Sequence, residues 1–181
     1  KNDDIEKQKE QKIITKNIII FRPRTFNEYI NQVRAKELLK QYIIGTRSRQ
    51  LVFPHTLIHG SAGMGKTSLA EIIARELQVK YHATIASEIK DSQNLLSRIS
   101  IVDGGILFLD EIHSLVREVA EKLYPIMEDF KFDSKDVSPF TLIGATTELG
   151  EIIKDRKPLV DRFKIIIELE NYNFPDLVIM A

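Results

Sequence analysis

The chain has no cysteine among its 181 residues, carries no net charge and contains no long apolar run. Without cysteine, disulfide bonds, thiolate metal sites and cysteine nucleophiles are excluded, which is consistent with an intracellular protein. No apolar stretch approaches the roughly 20 residues that a membrane-spanning helix needs, and the first residues lack the apolar core of a signal peptide. We therefore expect a cytoplasmic protein with no membrane contact.

The balance of charge limits how this chain can meet nucleic acid. It has 26 basic and 26 acidic residues, so it has no overall positive charge that would attract DNA or RNA. Any contact with DNA must be local or depend on other parts of the protein. The length and a hydrophobic content of 43% are typical of one globular domain.

Apolar residues switch repeatedly between strand spacing and helical spacing along the chain. Strands are predicted at residues 56–59, 79–85, 105–109, 140–144 and 164–169. Helices are predicted at about residues 33–45, ending near Gly45, and at 66–77, 92–99 and 118–129. This alternation predicts a three-layer α/β fold, in which helices flank a mainly parallel five-stranded sheet.

The first predicted strand runs into a glycine-rich segment that matches the phosphate-loop pattern G-x-x-x-x-G-K-[ST]. Glycines allow backbone angles that a Cβ forbids, so successive N–H groups can turn towards a phosphate. Lysine adds positive charge, and the first turn of the next helix favours an anion. We predict a nucleotide site formed by Gly60, Ser61, Ala62, Gly63, Met64, Gly65, Lys66, Thr67 and Ser68. The alternative is a glycine-rich turn with a chance Lys-Thr pair.

Two carboxylates follow the most apolar of the predicted strands. Asp110 and Glu111 come directly after residues 105–109, at the edge of the sheet where α/β proteins bind ligands. Asp110 is predicted to hold Mg²⁺ beside Thr67, and Glu111 to orient and polarise the water that attacks the γ-phosphate. The alternative is that both are solvated residues that cap the following helix.

Three further polar residues do not have a role that the local sequence alone decides. Thr146 follows the strand at residues 140–144, and it either contacts the γ-phosphate or its water, or joins Thr147 in capping the next turn. Arg162, taken alone, is typical of a surface charge. For His113, close to the two carboxylates, a packing or supporting role is favoured over catalysis.

Together these motifs resemble the RuvB family of AAA+ ATPases, the motors of Holliday-junction branch migration. The order and spacing of the family are matched by the phosphate loop and by residues 109–113, 123–130, 140–147 and 158–163. The resemblance covers about residues 21–176, and residues 124–130 are its most discriminating part. It implies an AAA+ P-loop core over residues 13–172, between a charged tail (1–12) and the start of a truncated helical lid (173–181).

The resemblance also implies roles for individual residues and partners. Thr146 is the expected sensor of the γ-phosphate, and Arg162 the finger inserted into a neighbouring subunit's site. The segment that contains Arg22, Tyr29 and Ile30 is similar to the one that lines the family's adenine pocket. ATP or ADP with Mg²⁺, a ring of subunits, expected to be a hexamer, and branched DNA bound through parts outside this chain are implied. The implied activity is ATP hydrolysis by a DNA helicase or translocase in recombination and repair.

Several residues depart from the family pattern. A hairpin that docks the partner RuvA is predicted to be missing, because only residues 131–138 bridge the gap between the neighbouring motifs. Val160 and Lys164 replace an arginine and a glycine around the finger, and Asn31 replaces an upstream glycine. These departures put a RuvA-type partner in doubt. They leave open a nucleotide-dependent adaptor, or a RarA-like or clamp-loader-like ATPase, with slow hydrolysis and no translocation.

Overall fold

The computed structural model describes residues 22–172 and Asp176. The predicted tail (1–12), the stretch that follows it (13–21) and the predicted lid segment (173–181), apart from Asp176, lie outside the described residues. No helix in the described part of the chain is long and apolar enough to cross a membrane. Its helices and strands are, in chain order, α1 (Val33–Arg49), β1 (Thr56–His59), α2 (Lys66–Leu77), β2 (Tyr81–Ile85), α3 (Ser92–Val102), β3 (Ile106–Asp110), α4 (Arg117–Asp129), β4 (Lys131–Phe132), β5 (Lys135–Asp136), β6 (Thr141–Thr146), α5 (Leu149–Asp155), α6 (Lys157–Val160) and β7 (Ile165–Glu168).

Five of these strands form one sheet in the order β2-β3-β6-β1-β7. Every neighbouring pair in that sheet is parallel, which confirms the predicted fold class. The register places His59 opposite Thr146 and Leu109 opposite Gly144. The carboxyl ends of β1, β3 and β6 therefore lie side by side at one edge of the sheet.

The three central strands are buried on both faces because helices cover each side of the sheet. β6 is buried at all six positions, and β1 and β3 at all but their last, as the continuous apolar runs of parallel strands require. Successive side chains enter different cores: Leu57 packs among residues of α3 and α4, whereas Ile58 packs against α2. Each fully buried Leu or Ile contributes about 1.5–3 kcal/mol, so the two cores hold the strand ends in place.

The first helix continues past its predicted end at Gly45 and stops at Arg49. Glycine inside a helix costs only about 1 kcal/mol relative to alanine, and the burial of Leu39 and Ile43 on this helix outweighs that cost. The left-handed residue that ends the helix is Gln50, with φ 53°, whose backbone N–H bonds back to the last turn. The predicted glycine cap was therefore wrong by about one turn.

Two strand boundaries differ from the prediction by two residues. The strand predicted from residue 79 begins at Tyr81, because the N–H of Val79 bonds to the carbonyl of Ala74 and so completes the end of α2. The strand predicted to end at Gly144 continues to Thr146. This extension matters for function, since it decides which of the two threonines at this end belongs to the sheet.

Between α4 and β6, where the docking hairpin is predicted to be missing, the chain forms a short hairpin. β4 and β5 pair antiparallel over two residue pairs. The residues that link them, Asp133 and Ser134, have φ values of 44° and 65°, and positive φ at both positions is what a tight type I′ turn needs. Phe132 anchors the hairpin in the core beside α4. The hairpin is present but short.

Gly105, directly before β3, leaves no room for a side chain. A Cβ at this position would lie 2.2 Å from the backbone carbonyl oxygen of Lys80. The carbonyl of Gly105 also accepts the N–H of Thr141, which fixes the backbone here. Backbone atoms cannot turn aside, so we expect Gly105→Ala to lower the free energy of unfolding by about 2–4 kcal/mol. Urea denaturation would measure the change.

A matched control for that substitution is available in α1. A Cβ on Gly45 would have nothing within 4 Å, so Gly45→Ala should raise the free energy of unfolding by about 0.5–1 kcal/mol through helix propensity. If the Gly105 variant were as stable as the wild-type protein, the close approach of the Lys80 carbonyl would be contradicted.

Candidate functional site

The phosphate loop connects the carboxyl end of β1 to the amino end of α2. Gly65, the residue that precedes α2, has φ 85° and ψ 21°, a left-handed conformation that residues with a Cβ rarely adopt. A Cβ there would also lie 3.0 Å from the hydroxyl oxygen of Tyr29. Both the backbone angle and the space require glycine at this position.

The side chain of Lys66 lies inside the loop. Its Nζ donates hydrogen bonds to the carbonyls of Gly60, at 2.8 Å, and of Ser61, at 3.1 Å. The residue is only 7% exposed, so the carbonyls replace the water that a buried ammonium group would lose. The loop thus holds a positive charge at its centre, where oxygens of a phosphate can take over from the carbonyls.

The start of α2 supplies donors without partners inside the helix. The first backbone hydrogen bond of this helix runs from the N–H of Leu69 to the carbonyl of Gly65, and Gly65 has no side chain to cap the earlier N–H groups. The N–H groups of Lys66, Thr67 and Ser68 therefore point out of the helix towards the loop. These donors and the lysine charge fit the phosphates of a nucleotide.

The two predicted carboxylates sit at the end of β3 as expected. Asp110 is the last residue of the strand, and its Oδ1 accepts the N–H of Glu111 at 3.0 Å. Glu111 has φ 49° and ψ 50°, a left-handed conformation that costs a non-glycine residue roughly 1–2 kcal/mol. The N–H and hydroxyl of Ser114 both donate to the Glu111 carbonyl and hold this turn.

The left-handed turn brings the Glu111 carboxylate next to the end of β6. Its Oε2 lies 3.4 Å from the hydroxyl of Thr147 and 3.3 Å from Nδ1 of His113. The strands β3 and β6 are neighbours, so residues more than 30 positions apart in the chain meet here. Strained backbone of this kind is common where a side chain must be aimed at a site.

The two threonines at the end of β6 have different surroundings. Thr146 is completely buried, and its hydroxyl accepts the N–H of Glu148 at 2.9 Å and lies 3.0 Å from Nδ1 of His113. Thr147 is exposed and faces Glu111. The capping role left open for Thr146 is the one that its contacts fit. Its role as a phosphate sensor stays a prediction. Thr147, which the sequence analysis considered only as a cap, is the threonine that contacts Glu111.

Tyr29 supports the loop from beneath. Its hydroxyl donates to the carbonyls of Met64, at 3.1 Å, and of Gly65, at 3.3 Å, and the residue is 2% exposed. Burial raises the pKa of the Tyr29 hydroxyl far above its usual range, so it remains a donor. Tyr172, which the sequence analysis did not single out, also donates to Met64, at 3.2 Å. A base bound beside this loop would lie near two tyrosines.

The other two residues of the predicted adenine pocket are less closely tied to the loop. Ile30 follows Tyr29 and is half-buried. The side chain of Arg22 is 65% exposed and lies 3.8 Å from the carboxylate of Glu71 on α2. Arg22 therefore lies beside a carboxylate of α2, and its contact with a nucleotide stays a prediction.

Arg162 lies at the opposite end of the sheet from the phosphate loop. It lines a groove of about 510 Å³ with Pro54 and His55, the residues that precede β1, whereas the loop follows that strand. β1 is four residues long, a distance of about 13 Å. The Arg162 side chain therefore cannot reach the loop of its own subunit.

The guanidinium of Arg162 is held by groups of α4. It pairs with the carboxylate of Glu128 at 3.0 Å, stands 4.5 Å above the ring of Tyr124, and donates to the carbonyl of Pro158. The side chain is 19% exposed, less than expected of a surface charge. Tyr124 is partly buried against the core and also carries this cation–π contact.

Comparison with known proteins places these features in a family. Residues 21–169 match the model of the Holliday junction DNA helicase RuvB P-loop domain. The chain is 40% identical over 169 residues to the Holliday junction branch migration complex subunit RuvB of Phytoplasma mali, covering 86% of this chain and 50% of the relative. It is 43% identical over 165 residues to the same subunit of Myxococcus xanthus, covering 84% and 47%.

Solved structures give the same result. The Holliday junction branch migration motor RuvB of Thermotoga maritima superposes with a TM-score of 0.78 at 39% identity, over 88% of this chain and 52% of that one. A mutant of the same protein superposes with a TM-score of 0.82 at 39% identity, over the same shares of the two chains. The chain spans about half the length of the curated relatives it matches.

Proposed function

Because the chain belongs to the RuvB P-loop domain family, we propose that it is the ATP-hydrolysing core of a motor that moves branched DNA in recombination and repair. The observation that carries the proposal is the meeting of three strand ends. The phosphate loop after β1, the carboxylates after β3 and the threonines at the end of β6 all lie at one edge of the sheet.

The phosphate loop supports the binding step of this proposal. Lys66 and the free N–H groups of the first turn of α2 would hold the β- and γ-phosphates of ATP in place of the present contacts to Gly60 and Ser61. Thr67 and Asp110 are the residues that would hold Mg²⁺, which supplies positive charge to the phosphates when it is bound. Tyr29 and Tyr172 keep the loop in place from below.

Glu111 is proposed to orient the attacking water and accept its proton. In phosphoryl transfer the protein supplies mainly positioning and charge, and a carboxylate aimed from a rigid turn serves that purpose. We assign the contact with the γ-phosphate or its water to Thr147 rather than Thr146. The assignment rests on the exposed position of Thr147 beside Glu111 and on the buried hydroxyl of Thr146.

Two valine substitutions separate the roles of the threonines. Thr147→Val should lower kcat for ATP about tenfold or more with an unchanged melting temperature, because only an exposed hydroxyl is lost. Thr146→Val should lower the melting temperature, because the N–H of Glu148 and the ring of His113 lose a buried partner. Steady-state hydrolysis and thermal unfolding would be measured on both. The reverse pattern would return the sensor role to Thr146.

Arg162 is proposed to act in the site of a neighbouring subunit. It cannot reach its own loop, yet it is preorganised by Glu128 and Tyr124. A cation delivered from a second subunit stabilises charge only when subunits meet. Hydrolysis would then depend on assembly into a ring, for which six subunits is the expected number.

The test of the function is ATP hydrolysis by the full-length protein, with and without four-way junction DNA. Several-fold stimulation by the junction, in excess of that by linear duplex of equal length, is the expected result for a motor. Tight ATP binding with no response to any DNA would instead support the nucleotide-dependent adaptor. The same assay with an added RuvA-type protein would decide whether the short β4–β5 hairpin still allows coupling.

A further inference from the structure

His113 lies between Glu111 and the end of β6, and the proposed hydrolysis assigns it no role. Its Nδ1 lies 3.0 Å from the hydroxyl oxygen of Thr146 and 3.3 Å from Oε2 of Glu111, and its Nε2 lies 3.5 Å from Oε2 of Glu148. It is the group that links the carboxylate after β3 to the buried end of β6.

The contacts of Nδ1 decide where the imidazole proton lies. An ionised carboxylate can only accept hydrogen bonds, so a contact between Nδ1 and Glu111 is favourable when Nδ1 carries the proton. The same Nδ1–H can also donate to the hydroxyl oxygen of Thr146. That oxygen also accepts the N–H of Glu148. Nε2 then carries a lone pair and makes no hydrogen bond with the carboxylate of Glu148, in keeping with the longer distance of 3.5 Å between them.

The contact with Thr146 fixes the position of the His113 imidazole. The threonine is completely buried and paired through the sheet with β1, and its carbonyl accepts the N–H of Gly60 in the phosphate loop. A histidine tied to it is held by the core, whereas Glu111 by itself is a half-buried side chain with several rotamers. His113 therefore connects Glu111 to the buried end of β6.

We propose that His113 is the positioning residue for Glu111, a role that rests on the proposed hydrolysis. Its Nδ1–H and the hydroxyl of Thr147 hold Oε2 of the carboxylate, which leaves Oε1 to orient the water and accept its proton. The same imidazole connects the carboxylate, through Thr146, to the phosphate loop. Without it, Glu111 samples orientations in which the water is misplaced, and such a displacement costs on the order of 10–100-fold in kcat.

Amide substitutions test which nitrogen matters. The amide nitrogen of asparagine can occupy the place of Nδ1, whereas that of glutamine reaches the place of Nε2. In the full-length protein, we expect His113→Asn to keep kcat within about threefold of the wild-type value. His113→Gln and His113→Phe should lower kcat about 10–100-fold. Nucleotide affinity, measured with a fluorescent ADP analogue, should be unchanged in all three.

Any other ranking of the asparagine and glutamine variants overturns the proposal, as does a fall in nucleotide affinity that accounts for the loss of rate. Thermal unfolding of each variant shows whether it folds, and the two amide variants decide the question if the phenylalanine variant does not. Glu111→Gln, assayed in parallel, separates the two proposals. Absence of ATP hydrolysis in the wild-type protein would remove the proposed function, and wild-type turnover in Glu111→Gln would remove the assignment of Glu111 as the base. Wild-type turnover in His113→Gln beside an inactive Glu111→Gln would remove only the positioning role.

Discussion

Replacement of Glu111 by glutamine is expected to lower ATP turnover by about 10²–10³-fold while nucleotide binding is retained. The substitution keeps the size of the side chain and removes the charge that polarises the attacking water. Binding should survive, because Lys66 and the first-turn N–H groups of α2 do not depend on Glu111. Steady-state hydrolysis and equilibrium binding of a fluorescent ATP analogue would measure the two effects separately.

A matched control for the glutamate is Glu37→Gln. Glu37 is exposed on α1 and belongs to none of the predicted site residues, so the same loss of one negative charge should leave both turnover and binding unchanged. Equal turnover in the Glu111 variant and the control would contradict the assignment of Glu111 as the base. A Glu111 variant that loses nucleotide affinity would show instead that the carboxylate supports the loop.

Removal of Arg162 is expected to lower hydrolysis by the assembled protein by about 10³-fold or more, the range typical of an arginine finger. Arg162→Ala should leave nucleotide binding to an isolated subunit unchanged, because the side chain lies at the far end of β1 from the loop. Arg162→Lys should recover little of the activity, since lysine keeps the charge without the planar fork.

Mixed assemblies test whether the arginine acts between subunits. An Arg162→Ala subunit keeps its own Glu111, and a Glu111→Gln subunit keeps its own Arg162. When the two inactive variants are mixed, some interfaces join an intact site to an intact finger, so part of the wild-type activity should return. No recovery in mixtures that are shown to co-assemble would contradict action in trans. Thermal unfolding of the alanine variant controls for the lost packing on Tyr124 and Glu128.

The phosphate loop was the easiest part of the site to predict because its residues are consecutive. A run of glycines, a lysine and a threonine between a strand and a helix fixes the local geometry with little help from the rest of the fold. The carboxylates were also predictable, since the strand before Asp110 is apolar throughout and the edge of a parallel sheet is where ligands bind.

The roles of the two threonines were harder to predict, because they depend on the exact residue at which β6 ends. β6 is buried on both faces, so a side chain becomes exposed only where the strand has ended. The apolar pattern stops at Gly144, but pairing with β1 carries the strand to Thr146. The hydroxyl assigned to the phosphate on sequence grounds is therefore the buried one.

The sequence by itself determined the family, the phosphate loop and the order of strands and helices, because these depend on neighbouring residues and on periodic apolar spacing. Only the tertiary structure decided which side chains meet at the loop. Glu111, His113 and Thr147 come together because β3 pairs with β6 and because Glu111 adopts a left-handed turn. Arg162 is separated from its own site by the length of β1. Distances of this kind arise from pairing between strands that are far apart in the chain, which local spacing does not record.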